Sequence, residues 1–85
     1  MSFSRFGWED SDVYVFEHVG GFIQCCGCPY ASKDDFGMYD AKTPRQMLEH
    51  LDMHEADGDS VWYAKKNIIK EYPDLDIEIQ PWQGA

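Results

Sequence analysis

Three cysteines stand within four positions of this chain, at residues 25, 26 and 28, and this cluster constrains the fold more than any other feature of the sequence. The chain has 85 residues, which is enough for one domain with a small hydrophobic core. Domains of this size often need a metal ion, a disulfide or a partner for stability. The role of the cysteines therefore decides how such a chain can be held together.

A disulfide framework fits these cysteines poorly, because their number is odd. The N-terminal segment lacks the basic start and the apolar run of a secretory signal. The longest uncharged stretch, residues 19–32, is too short to span a bilayer as a helix. We therefore expect a cytoplasmic protein without a membrane contact, in a compartment where persistent disulfides are uncommon.

The residues after position 42 have the features of a helix N-terminus. Thr43 is a suitable N-cap, Pro44 suits the first helical position, and Gln46 stands where it would complete a capping box. The helix is expected to continue to residue 57 and to stop at Gly58, since glycine commonly follows a helix C-terminus in the left-handed conformation.

Two histidines on this helix complete a metal-ligand pattern. His50 and His54 are four residues apart, so both imidazoles should lie on one helical face, one turn apart. Together with Cys25 and Cys28 they form a Cys₂His₂ set whose end spacings are typical of structural zinc. Two thiolates and two imidazoles would coordinate one Zn²⁺ ion tetrahedrally. The bound ion would supply the additional stability that a small domain needs.

Cys25 and Cys26 compete for one ligand position. Cys25 gives the favoured spacing of two residues to Cys28, whereas Cys26 would give a tight Cys-x-Cys pair. We expect Cys25 to be the ligand and Cys26 to be a buried small residue, a backbone donor or a spare thiol. The alternative is a redox pair of Cys25 and Cys28, but no thioredoxin-type βαβ pattern surrounds them.

The other elements follow from apolar periodicity and turn residues, and together they indicate an α+β fold. Strands are expected over residues 12–19, 22–26, 36–40 and 76–82, with a two-residue turn at Gly20 and Gly21 between the first two. A second helix is expected over residues 60–72, with Val61, Ala64, Ile68 and Tyr72 on its buried face. The chain then divides into an irregular lead-in (1–12), a ββα core (13–58), and a C-terminal helix and strand packed on that core (59–85).

This arrangement resembles the C2H2 zinc finger, a ββα unit that holds zinc between a hairpin and a helix. The resemblance covers residues 22–54, with Ile23 two positions before the first cysteine and Met47 three positions before the first histidine. The family has about twelve residues between its cysteine and histidine pairs, and residues 29–49 are a longer segment, so the resemblance implies an elaborated finger. The stretch TPRQMLEHLDMH is also similar to small uncharacterised zinc-finger-like proteins of bacteriophages that infect actinobacteria, which would place the protein in the host cytoplasm.

Charge decides between the possible partners. Sixteen acidic residues against seven basic ones give a formal net charge of −9, which repels nucleic acid and anionic membranes and favours a basic partner. We therefore expect a protein–protein interaction module with exposed aromatic side chains such as Trp8, Trp62 or Trp82. The alternatives are a nucleic-acid-binding regulator and a structural component of a phage virion. The oligomeric state does not follow from the sequence.

No catalytic pattern accompanies the metal-ligand pattern. A zinc protease helix needs a glutamate directly after its first histidine, where this chain has Leu51. Zinc-dependent deamination needs a His-x-Glu feature, where this chain has Asp52. Because four protein ligands would also leave no open position for water, we expect a protein that is not an enzyme.

Overall fold

The computed structural model describes residues 2–26 and 38–81. In this part of the chain a sheet is followed by two helices, which confirms the α+β fold. The strands are β1 (Ser2–Ser4), β2 (Tyr14–His18), β3 (Phe22–Cys26) and β4 (Tyr39–Ala41), and the helices are α1 (Pro44–Ala56) and α2 (Trp62–Glu71). A short 3-10 turn, Trp8–Asp10, lies between β1 and β2.

The four strands form one antiparallel sheet in the order β1-β2-β3-β4. The central hairpin pairs β2 with β3 from Tyr14 opposite Cys26 to His18 opposite Phe22, as the alternation of the sequence predicts. The third predicted strand, residues 36–40, overlaps β4, while residues 36 and 37 of that prediction lie outside the described residues.

Two predictions about the chain ends are wrong. The segment predicted as an irregular lead-in contains β1, because Phe3 is fully buried and the Ser4 hydroxyl donates to the Val13 carbonyl across the strand pair. A run of three residues is too short to show the alternation that identifies a strand. Residues 77–81 of the predicted final strand, 76–82, form no strand, and residue 82 lies outside the described residues. The Ile79 N–H donates to the Lys42 carbonyl, one residue after β4 ends, and this one contact does not extend the sheet.

The turn between β2 and β3 has three residues, 19–21, rather than the two that were predicted. Gly21 takes a positive φ of 93°, and a Cβ atom there would lie 2.8 Å from the backbone nitrogen of Pro81. The position therefore requires glycine for two reasons, the left-handed backbone conformation and the close approach of the C-terminal segment.

Helix α1 begins as the sequence predicts, with one change in the capping contacts. Thr43 Oγ1 accepts from the Gln46 N–H at 3.2 Å, but the Gln46 side chain accepts from the Lys42 N–H at 2.8 Å instead of returning to Thr43. The chain leaves the helix through Gly58 at a positive φ of 97°. Within the described residues no helix is both long and apolar enough to cross a membrane.

The core lies between one face of the sheet and the two helices. Its apolar members come from every layer: Phe3, Val13, Val15, Ile23, Ala41, Met47, Leu51, Val61, Ala64, Ile68 and Ile79. The predicted inner face of α2 is confirmed, because three of its four members are buried and Tyr72 packs against the core. Asn67 of α2 also donates to the Phe3 carbonyl at 2.7 Å, which ties this helix to the edge strand β1.

We expect Gly21→Ala to destabilise the fold by more than Gly58→Ala. Both glycines have a similar positive φ, so each substitution should cost about 1–2 kcal/mol for the left-handed backbone. Only at Gly21 would the added methyl group overlap Pro81, whereas no atom lies within 4 Å of the corresponding position at Gly58. Urea unfolding of both variants measures the difference, and equal losses of stability would contradict the close approach.

Candidate metal centre

The alternation of β3 separates the two adjacent cysteines. Ile23 and Cys25 point into the core and are fully buried, whereas Cys26 lies half-buried on the other face of the sheet. The inner face of α1 brings His50 and His54 against this strand, since residues four apart on a helix share a face. A sulfur from the sheet and two imidazoles from the helix therefore meet in the core.

The three side chains converge on one point. Cys25 Sγ lies 3.8 Å from His54 Nε2, and His54 Nε2 lies 3.2 Å from His50 Nε2. Around a tetrahedral zinc ion with bonds of about 2.3 Å to sulfur and 2.0–2.1 Å to nitrogen, the corresponding separations are about 3.6 Å and 3.3 Å. One ligand atom from each residue lies within 4.8 Å of the others, so the group could hold a metal ion.

The members of the group are almost fully buried, and a stacked ring holds one of the imidazoles in place. Cys25 is 0% exposed, His50 4% and His54 3%. Tyr39 stacks on the His50 ring at a centroid distance of 3.9 Å and an interplanar angle of 2°. Because Tyr39 also pairs with Cys25 across β3 and β4, one cross-strand pair positions both the sulfur and the first imidazole.

Asp59 orients the second imidazole. Its Oδ2 lies 2.9 Å from His54 Nδ1, and since a carboxylate accepts, Nδ1 carries the proton. The Nε2 lone pair is then directed toward Cys25 and His50. In metalloproteins a ligating histidine commonly binds the metal through one ring nitrogen and donates from the other to a carboxylate in this way. The backbone supports this contact, because Asp59 N–H also donates to the His54 carbonyl at 2.9 Å.

Electrostatics favour the ligating form of His50. Burial, together with the neighbouring His54, lowers the pKa of His50 to about 4. The imidazole is therefore neutral near pH 7, and the neutral ring is the form that binds a metal.

Cys26 has a different environment. Its thiol lies 3.8 Å from the Gln24 side-chain oxygen, and Gln24 in turn donates to Asp40 at 2.9 Å. Burial and the charge of Asp40 raise the pKa of the Cys26 thiol, so it stays protonated. A protonated thiol on the far face of the sheet does not take part in the group around Cys25.

The structure thus brings together three of the four predicted ligands, namely Cys25, His50 and His54. The fourth, Cys28, lies outside the described residues. Two neighbours of the group were not predicted: Tyr39, whose role depends on the register of β4, and Asp59. The sequence feature that could have indicated a role for Asp59 is its position, as an acidic residue directly after the glycine that ends a histidine-bearing helix.

Comparison with protein-family models, with curated proteins and with solved structures gives no match. The interpretation of this centre therefore depends on the geometry and chemistry of the chain itself.

We expect Cys25→Ser to abolish tight binding of Zn²⁺ or Co²⁺ and Cys26→Ser to leave it nearly unchanged. The two substitutions are chemically identical and adjacent in sequence, but only Cys25 faces the imidazoles. Competition with a chromophoric chelator measures the affinity of each variant. Equal losses in both variants, or a loss in Cys26→Ser alone, would show that the ligand assignment is wrong.

We expect Asp59→Asn to weaken metal binding about 10–100-fold, the usual effect of removing a carboxylate that orients a ligating histidine. Asp57→Asn is the matched control, because Asp57 is exposed and stands in the same connection, after the end of α1. The same chelator competition, with circular dichroism to verify folding, compares the two variants. Unchanged affinity in Asp59→Asn would mean that the carboxylate does not orient His54 toward a metal.

Proposed function

We propose that this chain is a structural zinc protein whose folded domain acts as a protein–protein interaction module. The observation that carries the metal proposal is the buried convergence of Cys25 Sγ, His50 Nε2 and His54 Nε2 at separations close to those of a tetrahedral site. A mixed thiolate and imidazole set suits zinc better than magnesium or calcium, which prefer oxygen ligands.

Cys28 is our candidate for the fourth ligand. Its spacing from Cys25 is the one most typical of zinc-binding cysteine pairs. A second thiolate would balance the charge of Zn²⁺, and this matters because the group lies in the core, where an uncompensated charge is costly.

A structural role for the metal fits the position of the site better than a catalytic one. The three placed ligands are almost fully buried, and four protein ligands leave no coordination position for water or substrate. The ion would instead join β3 to α1, the two elements that supply the ligands. Binding of structural zinc can contribute on the order of 10 kcal/mol, which is large compared with what a small core supplies alone.

The surface supports the proposal of a protein partner. The chain carries a formal net charge of −9, which disfavours nucleic acid and favours a basic surface. Large apolar side chains also remain exposed at several positions: Phe6, Trp8, Val19, Met38, Met53, Trp62, Ile69 and Ile77. Acidic charge beside exposed aromatic rings is suited to binding a cationic protein segment. We also propose the host cytoplasm as the place of action, which is what the resemblance of residues 43–54 to small phage proteins would imply.

We expect the purified protein to contain one zinc ion per chain and to lose its fold when the zinc is removed. Elemental analysis gives the stoichiometry, and circular dichroism during titration with a strong chelator follows the fold. Unfolding should be reversed by adding Zn²⁺ but not Mg²⁺, because the donors are sulfur and nitrogen. A metal-free protein that remains folded through the titration would refute the structural role.

A further inference from the structure

The outer face of the sheet, opposite the helices, carries a row of rings. We call this row, formed by Phe6, Tyr14, Phe16, His18 and Phe22, the aromatic face. Its members touch in sequence, with centroid distances of 5.9, 5.7, 6.1 and 4.4 Å from Phe6 to Phe22. All three outward positions of β2 hold a ring, although the solvent-facing side of an antiparallel sheet is ordinarily polar.

Packing of the core does not explain the aromatic face. The buried apolar side chains lie on the opposite side of the sheet, where Val13, Val15 and Ile23 meet the helices. At the end of the row Phe6 is 59% exposed, and the neighbouring Trp8 is 43% exposed. Tyr14, Phe16, His18 and Phe22 are only partly buried, and a contiguous row of rings that keeps contact with solvent is typical of a binding surface.

The charges around the aromatic face indicate what it can bind. Two cations border it, but both already lie over its rings: Arg5 over Tyr14 at 5.8 Å and Lys42 over Phe22 at 6.0 Å. Three carboxylates stand next to residues at its border: Glu9 and Asp10 follow Trp8 in the 3-10 turn, and Asp40 on β4 accepts from Gln24. Within residues 2–26 and 38–81 none of these three carboxylates forms a salt bridge, and Asp40 is held by the Gln24 amide.

We propose that the aromatic face binds an extended basic segment of a partner protein, rich in proline and arginine. Neighbouring rings meet edge to face, as Tyr14 and Phe16 do at 87°, so ring faces and ring edges alternate along the row. Rows of aromatic rings on protein surfaces accept the prolines of a polyproline II helix. Arginine can stack on the remaining ring surfaces and pair with the bordering carboxylates. This inference rests on the proposed function, since it names the surface and the partner of the interaction module.

Single-stranded nucleic acid is the competing ligand, because bases also stack on rings displayed by a sheet. Such binding needs a positively charged path for the phosphates. Here the two bordering cations are engaged with rings, three carboxylates stand nearby, and the chain as a whole has a net charge of −9. The charge of the surface therefore favours the cationic peptide.

The test uses the full zinc-loaded chain and three probes: a peptide of repeated proline–arginine pairs, a peptide of equal length and charge with serine in place of proline, and an oligothymidylate. Amide shift perturbation by NMR maps the binding site, and titration gives the affinity. We expect the proline–arginine peptide to bind most tightly and to perturb β2 and β3. Phe16→Thr should weaken this binding about tenfold or more, as truncation of an aromatic anchor usually does.

Ile69→Thr is the matched control, since it removes an exposed apolar side chain from α2, on the other side of the molecule. Zinc content and circular dichroism verify that each variant is folded, and Tyr14→Thr replaces Phe16→Thr if the latter does not fold. Absence of peptide binding, shifts outside the sheet, equal losses in the Ile69 variant, or tighter binding of oligothymidylate would each overturn the inference. If zinc is present but the peptide does not bind, this inference alone fails, whereas a folded chain without zinc refutes the metal proposal.

Discussion

The meeting of one sulfur from β3 with two imidazoles from α1 is the constraint on which the rest of this structure depends. Burying two histidines beside a cysteine is costly unless their polar atoms are satisfied. The short separations, 3.2 Å between the two Nε2 atoms and 3.8 Å from His54 Nε2 to Cys25 Sγ, place the polar atoms around a common point. A single divalent ion at that point would satisfy all of them and would hold the helix against the sheet.

The contacts extend from this centre toward the N-terminal segment. Asp59 holds His54 and belongs to the connection between the helices. The next residue, Ser60, makes two hydrogen bonds with Asp12. The Ser60 N–H donates to the Asp12 carboxylate at 2.7 Å, and the Asp12 N–H donates to the Ser60 carbonyl at 2.9 Å. Asp12 follows the turn that carries Trp8, which borders the aromatic face. The same connection that orients a ligand therefore also supports the surface for which we propose a partner.

The sequence predicts the parts of this centre that depend on local periodicity. The spacing to Cys28 favours Cys25 over Cys26, and helical spacing brings His50 and His54 to one face. The structure adds the reason for the first choice, since alternation along β3 puts the two cysteines on opposite faces of the sheet. The contact of Asp59 with His54 could not be predicted, because it depends on how the chain turns back after α1 ends. The stacking of Tyr39 on His50, the strand β1 and the missing final strand likewise depend on tertiary pairing of segments too short to carry a pattern.

X-ray absorption at the zinc edge of the purified protein tests the central claim most directly, because it reports the donor atoms around the metal. The expected result is a four-coordinate shell with two sulfur atoms at about 2.3 Å and two nitrogen atoms at about 2.0–2.1 Å. Cys25→Ser should lose this zinc shell, because it no longer binds the ion tightly, whereas Cys26→Ser should keep both sulfur contributions. A shell without sulfur, or a natively folded protein without a zinc signal, would contradict the account.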